Sequence, residues 1–268
     1  MQTLCLFFTL ILLAHGVHPI PSKFTTDHVP NSIVQNDTDA ARSDGCSDGL
    51  DHSVEVISWE PRVVIYHNFL SKKECEYLIN VAKPHMRRST ITDLVTRETY
   101  EDTWFSPCSL TMLDRGQDET IRAIEKKIAD FTFLPVENGE GLQVIHYEVG
   151  DKYPLHNDLY LDDYQTGKRG KRMATVLMYL SDTEDGGETA FPSAMGKYDD
   201  VHRWAFEYSE CNKSVLYAKP KMGDALLLWN VKPDGTSEYS SEYAECPVIK
   251  GNKWTATKWI RSKEYYEK

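Results

Sequence analysis

The chain has 268 residues, with 41 Asp and Glu against 30 Lys and Arg and a formal net charge of -11. That length serves one large catalytic domain or two small ones. An acidic balance with no basic block argues against nucleic acid as a partner.

Leu4 to Val17 forms a short apolar run, LCLFFTLILLAHGV, with the small residue Gly16 near its end. It is shorter than a comfortable membrane span and reads as a secretory signal peptide over residues 1–17. An uncleaved signal anchor and a buried N-terminal element are the alternatives, and only the anchor brings a membrane into the picture. Secretory entry makes disulfides permissible. Without Cys5, five cysteines remain (Cys46, Cys75, Cys108, Cys211 and Cys246), an odd number that leaves one thiol over or pairs it with another chain. Asn36 and Asn212 head glycosylation sequons for the same compartment. Residues 18–53 are polar and small, a stalk or linker, and the folded domain is expected over 54–268.

VEVISWEPRVVIYHNF predicts two β-rich stretches broken at Glu60-Pro61. A helix follows, with Ser71 and Glu74 as a capping box, Cys75, Leu78, Ile79 and Ala82 as its apolar stripe, and Pro84 at its end. A second helix over Asp118 to Phe131 carries Ile121, Ile124, Ile128 and Phe131 on one face. Both stripes read as core bracing one face of a sheet. Between them, Arg87 to Arg115 is polar and reads as an irregular connection containing Trp104 and Phe105, a lid or substrate loop. After Pro135 the strand candidates are Leu142–Tyr147, Met173–Leu180, Val215–Lys219, Ala225–Asn230 and Trp254–Ile260. Short strands separated by Gly, Asp and Pro turns predict an antiparallel sandwich or barrel. Met195 to Asn212 reads as a polar insertion carrying His202 and Trp204.

The chemistry concentrates at His156-Asn157-Asp158. An imidazole and a carboxylate two residues apart point the same way from a strand, which suits two ligands of one iron if a third arrives from elsewhere. A keto-acid co-substrate would also need a cation for its distal carboxylate. Lys253 is the candidate, with Lys250 and Lys258 competing on chemistry alone.

The long motifs EPRVVIYHNFLSKKECEYLINVAKPHM, RGQDE, PVENGEGLQVIHYEVG, RMATVLMYLSDTEDGGETAFP, KPKMGDALLLWN and CPVIKGNKWTATKWI carry a resemblance. From Glu55 to Tyr265 the chain resembles the plant prolyl 4-hydroxylases, iron(II)- and 2-oxoglutarate-dependent dioxygenases. The resemblance implies an all-β core with flanking helices (α+β), a double-stranded β-helix or jelly roll. It implies hydroxylation of peptidyl proline at C4 using O2 and 2-oxoglutarate, with Fe(II) and ascorbate, in the endoplasmic reticulum or Golgi. Proline-rich or hydroxyproline-rich secretory chains are the implied partners. By the same resemblance His156 and Asp158 match iron ligands, and Lys253, Tyr147 and Thr189 match the grip on 2-oxoglutarate. Tyr153, Arg172 and Glu140 match positions near the peptide. Cys211 and Cys246 match a disulfide pair, which leaves Cys108 as the odd thiol and Cys75 as buried core.

The chain departs from the family at the second iron-binding histidine. That position, three residues before Cys246, is Tyr243, and no histidine follows His202. A phenol titrates near pH 10 and must lose its proton to ligate. Strand alternation is read as turning Glu242 and Glu245 away from the side that Tyr243 faces. The arginine-bearing stretch before RGQDE is replaced by Phe105-Ser-Pro-Cys-Ser-Leu. The segment after His156 reads Asn157-Asp158-Leu159-Tyr160. These departures leave an alternative: a catalytically inactive relative that binds proline-rich peptides or a hydroxylase partner.

Overall fold

A computed structural model describes residues 52–92, 99–101, 108–159, 169–194, 211 and 215–266, all within one compact unit, Ser47–Lys268. The apolar leader, the linker up to residue 51, both sequons, Cys46, Trp104, Phe105, Tyr160, His202 and Trp204 lie outside the described residues.

The first alternating stretches form β1 (Ser53–Trp59) and β2 (Arg62–His67), antiparallel across the Glu60-Pro61 break. Pro61 lacks an N–H and ends the first run. Helix α1 (Lys72–Ala82) starts where the capping box dictates. Ser71 Oγ accepts from the Glu74 amide at 3.3 Å, and Glu74 Oε2 accepts from the Ser71 amide at 2.8 Å. Pro84 then tightens the chain into a 3-10 turn, Lys83–His85. Helix α2 (Glu119–Thr132) is capped by Asp118, whose Oδ1 accepts from the Ile121 amide at 2.9 Å.

The polar stretch between the helices is less irregular than expected. It contains β3 (Arg87–Arg88), β4 (Thr90–Thr92), β5 (Thr99–Glu101) and β6 (Ser109–Leu113). Threonine favours the pleated surface without announcing itself by an apolar period, so pairing rather than hydrophobicity defines these strands. The rest of the chain supplies β7 (Gly139–Tyr147), β8 (Tyr153–His156), β9 (Arg172–Tyr179), β10 (Asp185–Gly186), β11 (Thr189–Phe191) and β12 (Leu216–Ala218). It ends with β13 (Ala225–Trp229), β14 (Tyr243–Glu245), β15 (Val248–Lys250) and β16 (Lys253–Arg261).

The strands form an eight-stranded sheet, β1-β2-β13-β9-β16-β7-β6-β3, and a four-stranded sheet, β12-β11-β14-β8. Pairs β4-β5 and β10-β15 stand apart from these, and all the pairings are antiparallel. Two faces of the large sheet have different partners. Ala174, Val176 and Met178 of β9 and Leu142 and Val144 of β7 pack beneath α1 and α2 against Cys75, Leu78, Ile121, Ile124 and Ile128. Each buried Val, Leu, Ile or Met side chain among these contributes roughly 1.5–3 kcal/mol of transfer free energy. Leu177 and Tyr179 point the other way, toward Phe191, Ala218 and Tyr243 of the small sheet. The space between the sheets is the jelly-roll interior. Cys211 and Cys246 form a disulfide beside β14, while Cys75 and Cys108 are buried thiols. Burial pushes the Cys75 thiol up to about 12, so it stays protonated and inert.

Candidate active site

A cavity of about 430 Å³ opens between the sheets, lined by residues from β7, β8, β9, β14 and β16. Strand register decides who meets whom there. Tyr243 lies opposite His156, Glu245 opposite Tyr153, and Thr189 opposite Glu245 in the small sheet. In the large sheet Lys253 lies opposite Tyr147.

His156 Nδ1 stands 2.8 Å from the Pro154 carbonyl. A carbonyl only accepts, so this contact places the proton on Nδ1 and leaves the Nε2 lone pair available. Nε2 faces Asp158 Oδ1 at 4.0 Å. The second oxygen of Asp158 is held by neighbours: Thr175 Oγ1 donates at 2.6 Å and Tyr243 Oη at 3.1 Å. Asn230 Nδ2 donates to Thr175 Oγ1 at 2.9 Å, which turns the threonine proton toward Asp158. Thr175 and Asn230 were not singled out from the sequence. Thr175 shares a β9 face with Leu177 and Tyr179, and that period of two was the available signal.

Tyr243 is buried against the rings of His156 and Phe191. Burial, and then the charge of Asp158, push its phenol well above the ordinary range. It is therefore a neutral donor to Asp158, not a phenolate. Among the described residues no group of three His, Cys, Asp or Glu side chains is placed to hold a metal ion. His156 and Asp158 supply two donors of the three that an iron site of this kind uses, and the third does not fit.

Arg172 is buried rather than a solvated strand end. Its Nε and Nη2 donate to Glu140 at 2.7 and 3.0 Å, and its guanidinium lies 3.8 Å from the Trp259 ring centre. Arg261 Nε donates to the same Glu140 oxygen at 2.8 Å. Glu140 thus lines the cavity with its carboxylate already committed to two arginines. Tyr153 also lines the cavity, its ring 4.7 Å from that of His156.

The candidate lysines separate cleanly. Lys250 is exposed beside Glu184. Lys258 is buried, but on the helix side of β16, where Nζ donates to Glu125 of α2 at 2.6 Å. Lys253 is fully buried on the interior side, and its Nζ donates to the Gly187 carbonyl at 2.6 Å and to Glu245 Oε2. Gly187 has a φ of 73°, a left-handed conformation suited to glycine, and it turns this carbonyl inward. Thr189 Oγ1 donates to Glu245 Oε2 at 2.9 Å. With its one proton spent there, it accepts from Tyr179 Oη at 2.7 Å. Tyr147 completes the surround, its ring centre 5.2 Å from the ammonium. Burial, followed by the Glu245 charge, holds the Tyr147 and Tyr179 phenols well above their ordinary range.

The expectation that alternation turns Glu245 away is thereby corrected. Glu245 is two residues from Tyr243 and so shares its face, and both line the cavity. The lysine and threonine read as a grip for 2-oxoglutarate hold this side chain instead, so the distal-carboxylate site does not fit the co-substrate with Glu245 in place.

An antiparallel double-sheet barrel with a His-x-Asp pair lining its interior cavity belongs to a definable class. Residues 142–261 match the 2OG-Fe(II) oxygenase superfamily. A viral collagen prolyl hydroxylase from Paramecium Bursaria Chlorella virus-1, solved as its 2OG complex, superimposes with a TM-score of 0.53 at 26% identity, covering 82% of this chain and 100% of that one. Among curated proteins, Probable prolyl 4-hydroxylase 10 of Arabidopsis thaliana is 52% identical over 97% of this chain and 89% of its own length. Prolyl 4-hydroxylase 5 of the same plant is 50% identical over 90% and 81%. The chain belongs to the prolyl 4-hydroxylase family.

Proposed function

We propose that this chain hydroxylates C4 of peptidyl proline in the manner that its relatives' names state, with turnover held down by its own site. The observation that carries the reading is the His156–Asp158 pair, 4.0 Å apart in the cavity lining, in a chain that matches prolyl 4-hydroxylases nearly end to end. Iron and 2-oxoglutarate are the cofactor and co-substrate that the superfamily implies, with ascorbate as the reductant that sustains the metal. Substrates are proline-rich or hydroxyproline-rich chains in the endoplasmic reticulum or Golgi lumen. Support for that compartment comes from the apolar run Leu4–Val17 and from the Cys211–Cys246 disulfide. The residues at hand bind and orient: Tyr153 offers a ring wall for a proline, and Arg172 is held rigid by Glu140 and Trp259 at the cavity edge.

The test is 2-oxoglutarate decarboxylation coupled to proline hydroxylation, with Fe(II), ascorbate and a proline-rich peptide, run on the full protein and on Tyr243→His. The natural chain is expected to turn over slowly and the histidine variant faster. Peptide binding that ignores iron and 2-oxoglutarate, with no product from either protein, would instead establish the peptide-capturing relative.

A further inference from the structure

Among the charged residues lining the cavity, Glu245 is the one that peptidyl-proline hydroxylation leaves without a role. It is 2% exposed, and Oε2 accepts from both Lys253 and Thr189. Oε1 is buried with no hydrogen-bond partner. A buried ammonium requires a counter-charge, and Glu245 supplies it to Lys253 from the facing sheet. The residues lining the cavity include Glu245 but neither Lys253 nor Thr189, so the carboxylate stands between the ammonium and the open space. Arg172 is the one Lys or Arg side chain among the described lining residues, and its guanidinium donates twice to Glu140 and lies 3.7 Å from Asp158. A dicarboxylate entering here meets a negative charge where it needs a positive one. It must either expel Glu245 or crowd a second carboxylate onto one lysine, and like charges repel strongly in a low-dielectric interior.

We propose that Glu245 is a resident carboxylate seated in the anion socket of Lys253 and Thr189, and that a dicarboxylate co-substrate enters only by displacing it. Glu245 then sets co-substrate affinity, an internal competitor built into β14. This rests on the chain being a 2-oxoglutarate oxygenase, and it adds a control on how that co-substrate loads.

The experiment is calorimetric titration of 2-oxoglutarate into the full protein, compared with Glu245→Ala and Glu245→Gln. Alanine empties the socket, whereas glutamine keeps the side chain's size and removes its charge. Both variants are expected to bind 2-oxoglutarate about tenfold or more tightly than the natural chain, the factor carried by one charge-assisted hydrogen bond. Adding Lys253→Met to the alanine variant is expected to abolish the gain. Acetate is expected to raise the melting temperature of the alanine variant and not that of the natural chain, because it refills the socket. If alanine prevents folding, the glutamine comparison carries the test. Equal 2-oxoglutarate affinity in the natural chain and in the folded variants would overturn the proposal. A gain in affinity without proline hydroxylation by any variant would remove the hydroxylase reading and leave the socket standing. Hydroxylation with unchanged affinity would do the reverse.

Discussion

Replacing Glu140 with alanine tests whether this residue is a peptide contact or an internal brace. Its carboxylate accepts from Arg172 Nε at 2.7 Å, Arg172 Nη2 at 3.0 Å and Arg261 Nε at 2.8 Å. Arg261 is 0% exposed and Arg172 is 8% exposed, so removing the acceptor takes a hydrogen-bonded counter-charge from two buried guanidinium groups, leaving Arg172 Nη1 3.7 Å from Asp158 and Arg261 Nη1 on the Gly170 carbonyl at 2.9 Å. Breaking a buried pair by deleting one partner costs about 3–5 kcal/mol, because the remaining charge stays desolvated. Asp158 and the Gly170 carbonyl keep part of the pairing, so the lower part of that range is expected. Glutamine keeps one carbonyl acceptor and is expected to recover part of the loss. Equilibrium urea unfolding measures this as a fall in midpoint at unchanged slope. A loss under about 1 kcal/mol, the range of a solvated ion pair, would refute the argument. A rise in peptide KM at undiminished stability would then make Glu140 a substrate contact after all.

Three further outcomes follow from other parts of the molecule. Glu125→Met and Lys258→Met should each cost about 3–5 kcal/mol, while the double variant returns to within about 1–2 kcal/mol of the natural chain, the remainder reflecting the Gly116 amide that Glu125 also accepts from. A double-mutant cycle by urea unfolding checks this, and additive losses would contradict it. The Cys211–Cys246 disulfide closes a loop with a sequence separation of 35, so reduction or Cys211→Ser with Cys246→Ser should cost about 3–4 kcal/mol, read from unfolding with and without dithiothreitol. His67 is raised above its ordinary 6.5, chiefly by its hydrogen bond to Asp224 at 2.7 Å working against burial. Its contribution is fully present below pH 6.5 and is lost as pH rises through the folded-state value. Melting temperature should therefore fall from about pH 6 to about pH 8 by more in the natural chain than in His67→Gln.

Much of this protein is legible in its residues one segment at a time. Ser71 with Glu74, and Asp118, mark both helix starts because capping is a contact between neighbours in sequence. The apolar stripes and the strand alternation name the core for the same reason. His156 and Asp158 stand out because two side chains at a spacing of two share a direction on any strand. Tyr243 stands out only through the family resemblance, as the residue three before Cys246 where that family carries its second iron-binding histidine. What the residues could not say is which charges meet. Lys253 and Lys258 look alike in the sequence, yet β16 turns one toward the barrel interior and the other toward α2, where each finds its own glutamate. Nothing in the sequence shows that two arginines, 32 and 121 residues away, share the Glu140 carboxylate. Glu245 and Lys253 are eight residues apart, on strands of different sheets. Burial makes each charge require a partner, and only the closing of one sheet over the other decides that the partner of Lys253 is the chain's own carboxylate.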